Sequence, residues 1–408
     1  MATPRRAVPV RPVRRTPEAT PGHRTVLERT EAPRLYADQF EIYHGNANPE
    51  LARKIARYLG NEPGKAEVFQ FANENIFVKI LDNVREKDVF LVQPTSHPVN
   101  QSIMELLIMI DAFKRASAGR ITAVVPFYAY GRSDKKDQPR VPITARLIAD
   151  MITVAGADRV LTMDLHQGQI QGFFNIPVDE LTAVPMIGRY FIDKQLGDCV
   201  VVTDLGFAKR ARAFAELLDA PLAIIEKRRL GNLDRAELMN VIGDVRGKRA
   251  IIVDDEIDTG GTLIEIVRAL EREGATEMYA CATHGVLSDP AVDRIRDSSL
   301  REVVLTDSIP LTPAKRLSKI TVLSVAPLIG EAIKRIHRGE SVGALFSSEV
   351  QFTQEMLLWD EGADAPGSSG GGTGPGERRG SGTEPDADAD DGEPAIADLV
   401  EAAPARDR

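Results

Sequence analysis

The stretch that decides the fold is Ala250-Ile251-Ile252-Val253-Asp254-Asp255-Glu256-Ile257-Asp258-Thr259-Gly260-Gly261-Thr262. Its apolar run predicts a buried strand, with Asp254 and Asp255 at the strand end, and its Gly-Gly turn opens a helix. Glycine lets the backbone approach an anion, and the first amide groups of a helix have no partner within it. With the positive end of the helix dipole and the hydroxyls of Thr259 and Thr262, they form a predicted phosphate cradle. A capped βα turn without a ligand is the alternative, but so many acids, threonines and glycines together favour a ligand site.

Apolar runs and helical segments alternate on both sides of this stretch. The predicted strands are Ile121–Pro126, Val160–Met163, Cys199–Thr203, Leu222–Ile225, Ala250–Val253 and Met278–Cys281, and helices are predicted at Ser102–Lys114, Ile143–Val154 and Leu263–Arg272. Such alternation is typical of an α/β fold with parallel sheets. Ligands of these folds bind beyond the carboxyl ends of the strands, where the phosphate loop lies.

A repeat within the chain indicates two similar units. Gly156-Ala157 and Gly274-Ala275 are each followed by a short apolar strand and then by a histidine, His166 or His284. Each Gly-Ala pair is placed to end a helix, where a glycine C-cap is expected. Chance is the alternative for so short a match, but the ordered elements around it favour duplication. We therefore predict domains at residues 36–180 and 181–346.

The composition excludes several classes of protein. The chain has 43% hydrophobic and 27% charged residues, as a folded soluble protein does. Cys199 and Cys281 lie far apart, which gives neither a disulfide framework nor a zinc pattern and favours the cytoplasm. No apolar run approaches the roughly 18 residues of a membrane span. A net charge of −9 disfavours general nucleic-acid binding.

Both ends of the chain are predicted to be disordered. Residues 1–35 are rich in arginine and proline and form a basic tail, and residues 347–408 form a mostly disordered acidic tail that is rich in glycine, serine and proline from about Glu361. Neither has an apolar period that could offset the entropy cost of ordering. A transit peptide or a nucleic-acid-binding arm is an alternative for the basic end, although its prolines disfavour the amphipathic helix of a transit peptide.

The quoted stretch, together with Met163-Asp164-Leu165-His166 and Glu226-Lys227-Arg228-Arg229, resembles the ribose-phosphate pyrophosphokinase family. The resemblance runs from about Gly45 to Phe346. It implies two tandem phosphoribosyltransferase-like domains, usually assembled into hexamers, that transfer the β,γ-diphosphoryl group of Mg-ATP to ribose 5-phosphate. No GxxxxGK[ST] loop occurs, so ATP would be held by other means.

The resemblance also implies roles for individual residues. Lys227 and Arg229 match a catalytic basic pair on a mobile loop, where they would counter the charge on the transferring group. His166 and Asp204 match metal-binding positions, with Mg²⁺ as the expected metal. ATP is expected at Phe71, Asn73, Asn75, Arg132 and Ser133, the first three reaching a neighbouring subunit's site, and ribose 5-phosphate at Arg229, Asp254, Asp255, Asp258, Thr259, Gly260, Gly261 and Thr262.

Four positions depart from the family pattern. Asn75 and Asn175 stand where acids are usual, Ser133 replaces a glutamine, and Phe207 puts a ring where a glycine is expected. They leave two hypotheses, an active synthetase with a modified nucleotide pocket and a catalytically weak paralogue with a regulatory or structural role. Retention of Lys227 favours the enzyme. A phosphoribosyltransferase is a distant third reading, because no base-specific signal occurs.

Overall fold

The computed structural model describes residues 40–229 and 237–346. The two tails predicted to be disordered, residues 1–35 and 347–408, lie outside these residues. Within the described ranges, no helix is long and apolar enough to cross a membrane.

The N-terminal half builds a five-stranded parallel sheet. Its strands lie side by side in the order β1 (Phe40–His44), β4 (Asp88–Val92), β5 (Arg120–Val125), β6 (Arg159–Met163) and β7 (Val178–Leu181). In β4, Val89 and Leu91 pack on one face of the sheet, and Phe90 and Val92 pack on the other. Because both faces are buried, these strands are apolar along most of their length.

The C-terminal half builds a seven-stranded sheet that is parallel except at one edge. From that edge the order is β10 (Glu237–Ile242), β9 (Leu222–Arg229), β8 (Cys199–Asp204), β11 (Arg249–Ile257), β12 (Glu277–Gly285), β13 (Leu300–Thr306) and β14 (Ile320–Leu323). Only β10 runs antiparallel to its neighbour. Strands β8 and β11, which carry the predicted site, therefore lie in the middle of the sheet.

Helices cover both faces of both sheets. Helices α2 (Val99–Arg115) and α3 (Thr144–Ala155) cover one face of the first sheet, and α6 (Gly261–Glu273) and α7 (Ala291–Asp297) cover one face of the second. The remaining faces share one apolar cluster with four further helices, namely α1 (Pro49–Tyr58), α4 (Val184–Asp193), α5 (Ala208–Leu217) and α8 (Ala326–Arg338). This shared layer joins the halves.

An antiparallel hairpin stands apart from both sheets. It consists of β2 (Ala66–Gln70) and β3 (Ile76–Ile80), joined by residues 71–75. Three short 3-10 helices, at Gly168–Phe173, Pro313–Lys315 and Val342–Phe346, complete the described elements.

The predicted fold class, two tandem α/β domains with parallel central sheets, is confirmed. The domain boundary at residue 180 stays a prediction, since the two sheets share a helical layer. Two expectations about strand ends were wrong. Strand β11 runs on to Ile257, because β12 pairs with it as far as Gly285. Strand β9 runs on through Arg229, because β10 offers it an antiparallel partner.

Candidate active site

The predicted phosphate loop joins β11 to α6. Its turn is set by Gly260, whose φ of +71° is a left-handed conformation that glycine adopts without strain. Helix α6 begins at Gly261, and no side chain caps its first turn. The Thr259 carbonyl oxygen accepts a hydrogen bond from Arg294 Nη1 at 2.8 Å, which ties the loop to α7. The helix start thus keeps the backbone arrangement that suits an anion.

A cavity of about 110 Å³ lies at this loop. Acidic residues, small loop residues and one arginine form the polar part of its lining, namely Arg132, Asp204, Asp254, Glu256, Asp258, Thr259, Gly260, Gly261 and Thr262. The apolar part of the lining consists of Ile252, Val253, Ile257, Leu263, Ile266, Ala280 and Cys281. The cavity is therefore lined by the predicted ribose 5-phosphate residues Asp254, Asp258, Thr259, Gly260, Gly261 and Thr262, but not by Asp255; the side chain of Arg229 lies outside what the structure describes.

Two adjacent carboxyls in β11 have opposite electrostatic surroundings. Burial, reinforced by the carboxylates of Asp255 and Asp204, raises the pKa of Asp254 well above its usual range. Burial would also raise the pKa of Asp255, but hydrogen bonds from His166 and Asp254 outweigh it and lower that pKa. Asp254 is thus the member of the pair that takes up a proton more readily, and Asp255 is the member that keeps its charge more readily.

His166 pairs with Asp255 across the two halves. The distance from His166 Nδ1 to Asp255 Oδ2 is 2.7 Å, and Asp255 is only 5% exposed. This hydrogen bond raises the pKa of His166, against the smaller opposing effect of burial. The pair fixes which ring nitrogen faces the carboxylate and leaves Nε2 for another partner.

Arg132 also crosses between the halves. It follows β5 in the N-terminal half and forms ion pairs with Glu256 and, at 3.3 Å, with Asp258. Burial raises the pKa of Glu256, although the charge of Arg132 opposes this shift. Half of the Arg132 side chain remains exposed, so an anion entering the cavity could compete for its guanidinium.

The two predicted metal positions lie in neighbouring cavities. Asp204 lines the cavity at the phosphate loop, whereas His166 lines a cavity of about 10 Å³ with Asp255, Glu256 and His284. No group of three or more histidine, cysteine or acidic side chains in the described part of the chain is arranged to hold a metal.

The predicted nucleotide residues do not gather in one place. Arg132 reaches the cavity, and the Ser133 amide donates to the Tyr130 carbonyl oxygen at 2.8 Å. Residues 71–75 form the hairpin turn, where hydrogen bonds are local and Phe71 is 49% exposed. None of residues 71–75 lines the cavity of the same chain.

The predicted catalytic pair lies in a strand. The backbone of Lys227 lies opposite Met239, and that of Arg229 lies opposite Glu237. The expectation of a loop at these two residues was wrong. Their side chains lie outside what the structure describes, so their role stays a prediction.

Phe207 does not occupy the cavity. Its side chain is 9% exposed and belongs to the apolar cluster shared by the two sheets, with the Arg210 guanidinium 5.8 Å from the ring centre. The Phe207 amide donates to Asp204 Oδ1 at 3.0 Å, which closes the turn before α5. Asn175, another departure, is exposed.

Several residues of the site were not foreseen. Glu256 was visible as a third acid in the quoted stretch but received no role. Asp164 and Thr283 join the halves through a hydrogen bond of 2.6 Å between two buried side chains. The repeated histidine and the stretch from Met163 to His166 pointed to that region but not to this contact, because a contact between residues 119 positions apart leaves no local pattern.

The sequence and the fold of this chain also match those of known proteins. Residues 40–156 match the N-terminal domain of ribose phosphate pyrophosphokinase, and residues 230–347 match the phosphoribosyl synthetase-associated domain. The ribose-phosphate pyrophosphokinase of Caldanaerobacter subterraneus subsp. tengcongensis is 57% identical over 76% of this chain and 99% of its own length. That of Gloeobacter violaceus is 52% identical over 81% of this chain and 99% of its own length. The crystal structure of phosphoribosylpyrophosphate synthetase from Mycobacterium smegmatis aligns with a TM-score of 0.71 at 44% identity, covering 74% of this chain and 99% of that one.

Proposed function

Because this chain belongs to the ribose-phosphate pyrophosphokinase family, we propose that its cavity between β11 and α6 binds ribose 5-phosphate. The chain is an enzyme that transfers the β,γ-diphosphoryl group of ATP to the 1-hydroxyl of ribose 5-phosphate, giving phosphoribosyl pyrophosphate and AMP. The finer assignments below are proposals about the residues that carry out this reaction.

The observation that supports the sugar-phosphate site is the uncapped start of α6 beside buried carboxyls. The loop from Asp258 to Thr262 would bind the 5-phosphate through backbone amides and the two threonine hydroxyls. Asp254, whose raised pKa favours its protonated form, would donate to a sugar hydroxyl when protonated as well as accept from one. The loop binds the phosphate end and the strand binds the sugar end.

Lys227 and Arg229 are proposed to act on the transferring group. Phosphoryl-transfer catalysis depends mainly on positioning and on countering the charge that develops on the phosphate oxygens. Lysine offers a compact charge, and arginine offers a fork that can hold two oxygens. The strand that carries the pair is the immediate neighbour of β8, which ends at Asp204 in the cavity.

The donor set of the site fits Mg²⁺. This ion prefers oxygen and usually takes one or two carboxylates while keeping water and substrate phosphate, so a site without three clustered protein ligands suits it. Asp204 would supply a carboxylate, and His166 would present Nε2 while Asp255 holds Nδ1. When bound, Mg²⁺ would neutralise charge on the diphosphoryl group.

ATP is proposed to bind at Arg132 and Ser133 of one copy and at Phe71, Asn73 and Asn75 of another. Phe69, Phe71 and Phe77 form a cluster of ring contacts on the hairpin, with centroids 4.9 to 5.8 Å apart. Phe69 and Phe71 are nearly half exposed, as expected of a surface that another copy covers. A homo-oligomer, a hexamer by family resemblance, would bring this hairpin to a neighbouring site.

We also propose a cytoplasmic location, since the two described cysteines are unpaired.

The test is an assay of both products. Purified protein would be incubated with Mg-ATP and ribose 5-phosphate, with and without inorganic phosphate, and AMP and phosphoribosyl pyrophosphate would be quantified together. Equal amounts of the two products are expected. If ribose 5-phosphate binds but neither product forms, the weak-paralogue hypothesis, which the comparisons do not support, replaces the active enzyme.

A further inference from the structure

His284 is the counterpart of His166 in the sequence repeat, yet the proposed chemistry gives it no task. Its side chain is 3% exposed and lies at the end of β12, between the two halves. Nδ1 lies 2.9 Å from Ser308 Oγ, and Nε2 lies 3.2 Å from the carbonyl oxygens of both Met163 and Asp164. The Phe127 ring packs against it edge to face. Both ring nitrogens are therefore engaged.

These partners select one tautomer of the ring. Carbonyl oxygens only accept hydrogen bonds, so Nε2 must carry the proton that it shares between them. Burial lowers the pKa of His284 and keeps the ring neutral. Nδ1 is then an acceptor for the Ser308 hydroxyl. A buried imidazole with a fixed tautomer is a rigid donor aimed at one point of the backbone.

That point is a strained turn. Asp164 has a φ of +37°, which non-glycine residues seldom adopt, and such strain persists only where the surroundings hold it. The carbonyl groups that converge on His284 belong to Asp164 and the residue before it. The Asp164 carboxylate accepts from Thr283 Oγ1 at 2.6 Å and from the Ala183 amide at 2.8 Å. Neighbouring residues of β12, in the other half of the chain, thus hold the turn.

The strained turn leads directly to His166. Two residues after Asp164, His166 makes its 2.7 Å contact with Asp255. We propose that His284 is a positioning residue, which holds the turn at Asp164 so that His166 meets Asp255 and presents its other nitrogen to the reaction site. This inference rests on the proposed function, because it assigns His284 to the same site.

Substitutions of His284 test the positioning role. His284→Leu removes the donor, and we expect kcat to fall about ten- to a hundredfold, the scale on which a displacement near 1 Å acts, with both KM values within about threefold of wild type. His284→Gln keeps a neutral donor at a similar distance and should recover kcat to within about threefold of wild type. Ser308→Ala removes the partner of Nδ1 while sparing the ring and its Nε2 donor, so it should give an intermediate loss and serves if the leucine variant does not fold.

A second substitution separates positioning from general loss of structure. If His284 acts through His166, combining His284→Leu with His166→Ala should lower kcat no further than His166→Ala alone, to within about twofold. Thr122→Val is the control, because the buried Thr122 hydroxyl has no hydrogen-bond partner among the described residues and lies on β5, away from this contact. It should keep wild-type kcat.

The outcomes are distinguishable. Losses of kcat that multiply in the double variant, or a glutamine variant as impaired as the leucine variant, overturn the positioning role. So does an active wild type with an equally active His284→Leu variant. A wild type that binds ribose 5-phosphate but forms no AMP overturns the proposed function, and the role of His284 with it.

Discussion

At the residue scale, two histidines related by the repeat have pKa values shifted in opposite directions because their partners differ. His166 faces the carboxylate of Asp255, which raises the pKa of its imidazole. His284 faces two carbonyl oxygens and a hydroxyl in a fully buried place, and burial lowers the pKa of its imidazole. The same residue type thus pairs with a carboxylate in one half of the chain and donates to backbone carbonyl oxygens in the other.

The buried state of His284 predicts how stability depends on pH. Burial lowers its pKa below the ordinary 6.5, although the carboxylates of Asp164 and Asp255 partly oppose the shift. Below 6.5 the unfolded chain therefore binds a proton that the folded chain does not, so the stability that His284 contributes is lost as the pH falls. From about pH 7.5 to about pH 5.5, the difference in free energy of unfolding between wild type and His284→Gln should shrink, by up to about 1.4 kcal/mol per pH unit. Urea denaturation at each pH measures it, and a difference that grows in acid would mean that the folded protein holds a charged ring.

Lys227 carries the prediction for catalysis. Lys227→Ala should lower kcat about a hundred- to a thousandfold, the usual cost of one lost transition-state donor. Lys248→Ala is a suitable control, because Lys248 pairs with Asp244 on the surface, away from the cavity. Initial rates of AMP formation at saturating substrates would be compared. A rate close to wild type in the Lys227 variant would remove this residue from the mechanism.

At the scale of elements, the turn before α5 shows how a departure from the family pattern can be absorbed by packing. Phe207 has φ of −100° and ψ of 0°, a conformation open to any residue, so the backbone does not require glycine there. The turn places the ring in the shared apolar cluster and leaves Asp204 in the cavity. The ring therefore contributes to stability.

Phe207→Gly would restore the residue expected from the family. Because the ring is buried, its removal should cost about 3–5 kcal/mol of unfolding free energy, the range for a lost core phenylalanine. Because the ring does not line the cavity, kcat/KM for both substrates should stay within about threefold of wild type. Phe207→Leu, which keeps most of the apolar volume, should lose much less stability. A tenfold rise in kcat/KM for ATP in the glycine variant would show that the ring obstructs the site.

The elements predicted from the sequence were those with buried, continuous apolar runs. Val160–Met163 and Leu263–Arg272 were each found within two residues of their observed ends. The hairpin of β2 and β3 was missed, because its half-exposed residues give no strong period. The apolar run that predicts β9 ends at Ile225, and the family resemblance implied a loop at Lys227 and Arg229; only the pairing with β10 shows that the strand runs on. Contacts between the two halves, such as those of His166 and His284, depend on tertiary packing and cannot be predicted from a local sequence pattern.

At the scale of the whole molecule, the halves are joined in two different ways. An apolar helical layer shared by both sheets fixes their packing. Polar contacts from His166, Arg132 and His284 then cross between the halves at the reaction site. The site is thereby assembled from both halves. Duplication of one α/β unit thus gives each half a strand end that contributes residues to the same reaction site. Of the described residues proposed for the site, those of the hairpin turn, residues 71–75, do not line the cavity of their own chain.

The shared site predicts complementation between inactive variants. If the hairpin of one copy completes the site of another, Phe71→Ala combined with Asn73→Ala removes the hairpin contribution, and Lys227→Ala removes the catalytic one. Each variant alone has only defective sites. In oligomers formed by coexpression, about one site in four should combine an intact hairpin with an intact lysine, if subunits mix at random. Activity should therefore rise to about a quarter of wild type per site, well above either variant.

Mixing the two proteins after separate purification, without subunit exchange, is the control and should give no gain. If coexpression gives only the average of the two variants, each site would be completed within one chain, and the aromatic cluster of Phe69, Phe71 and Phe77 would have to serve assembly alone.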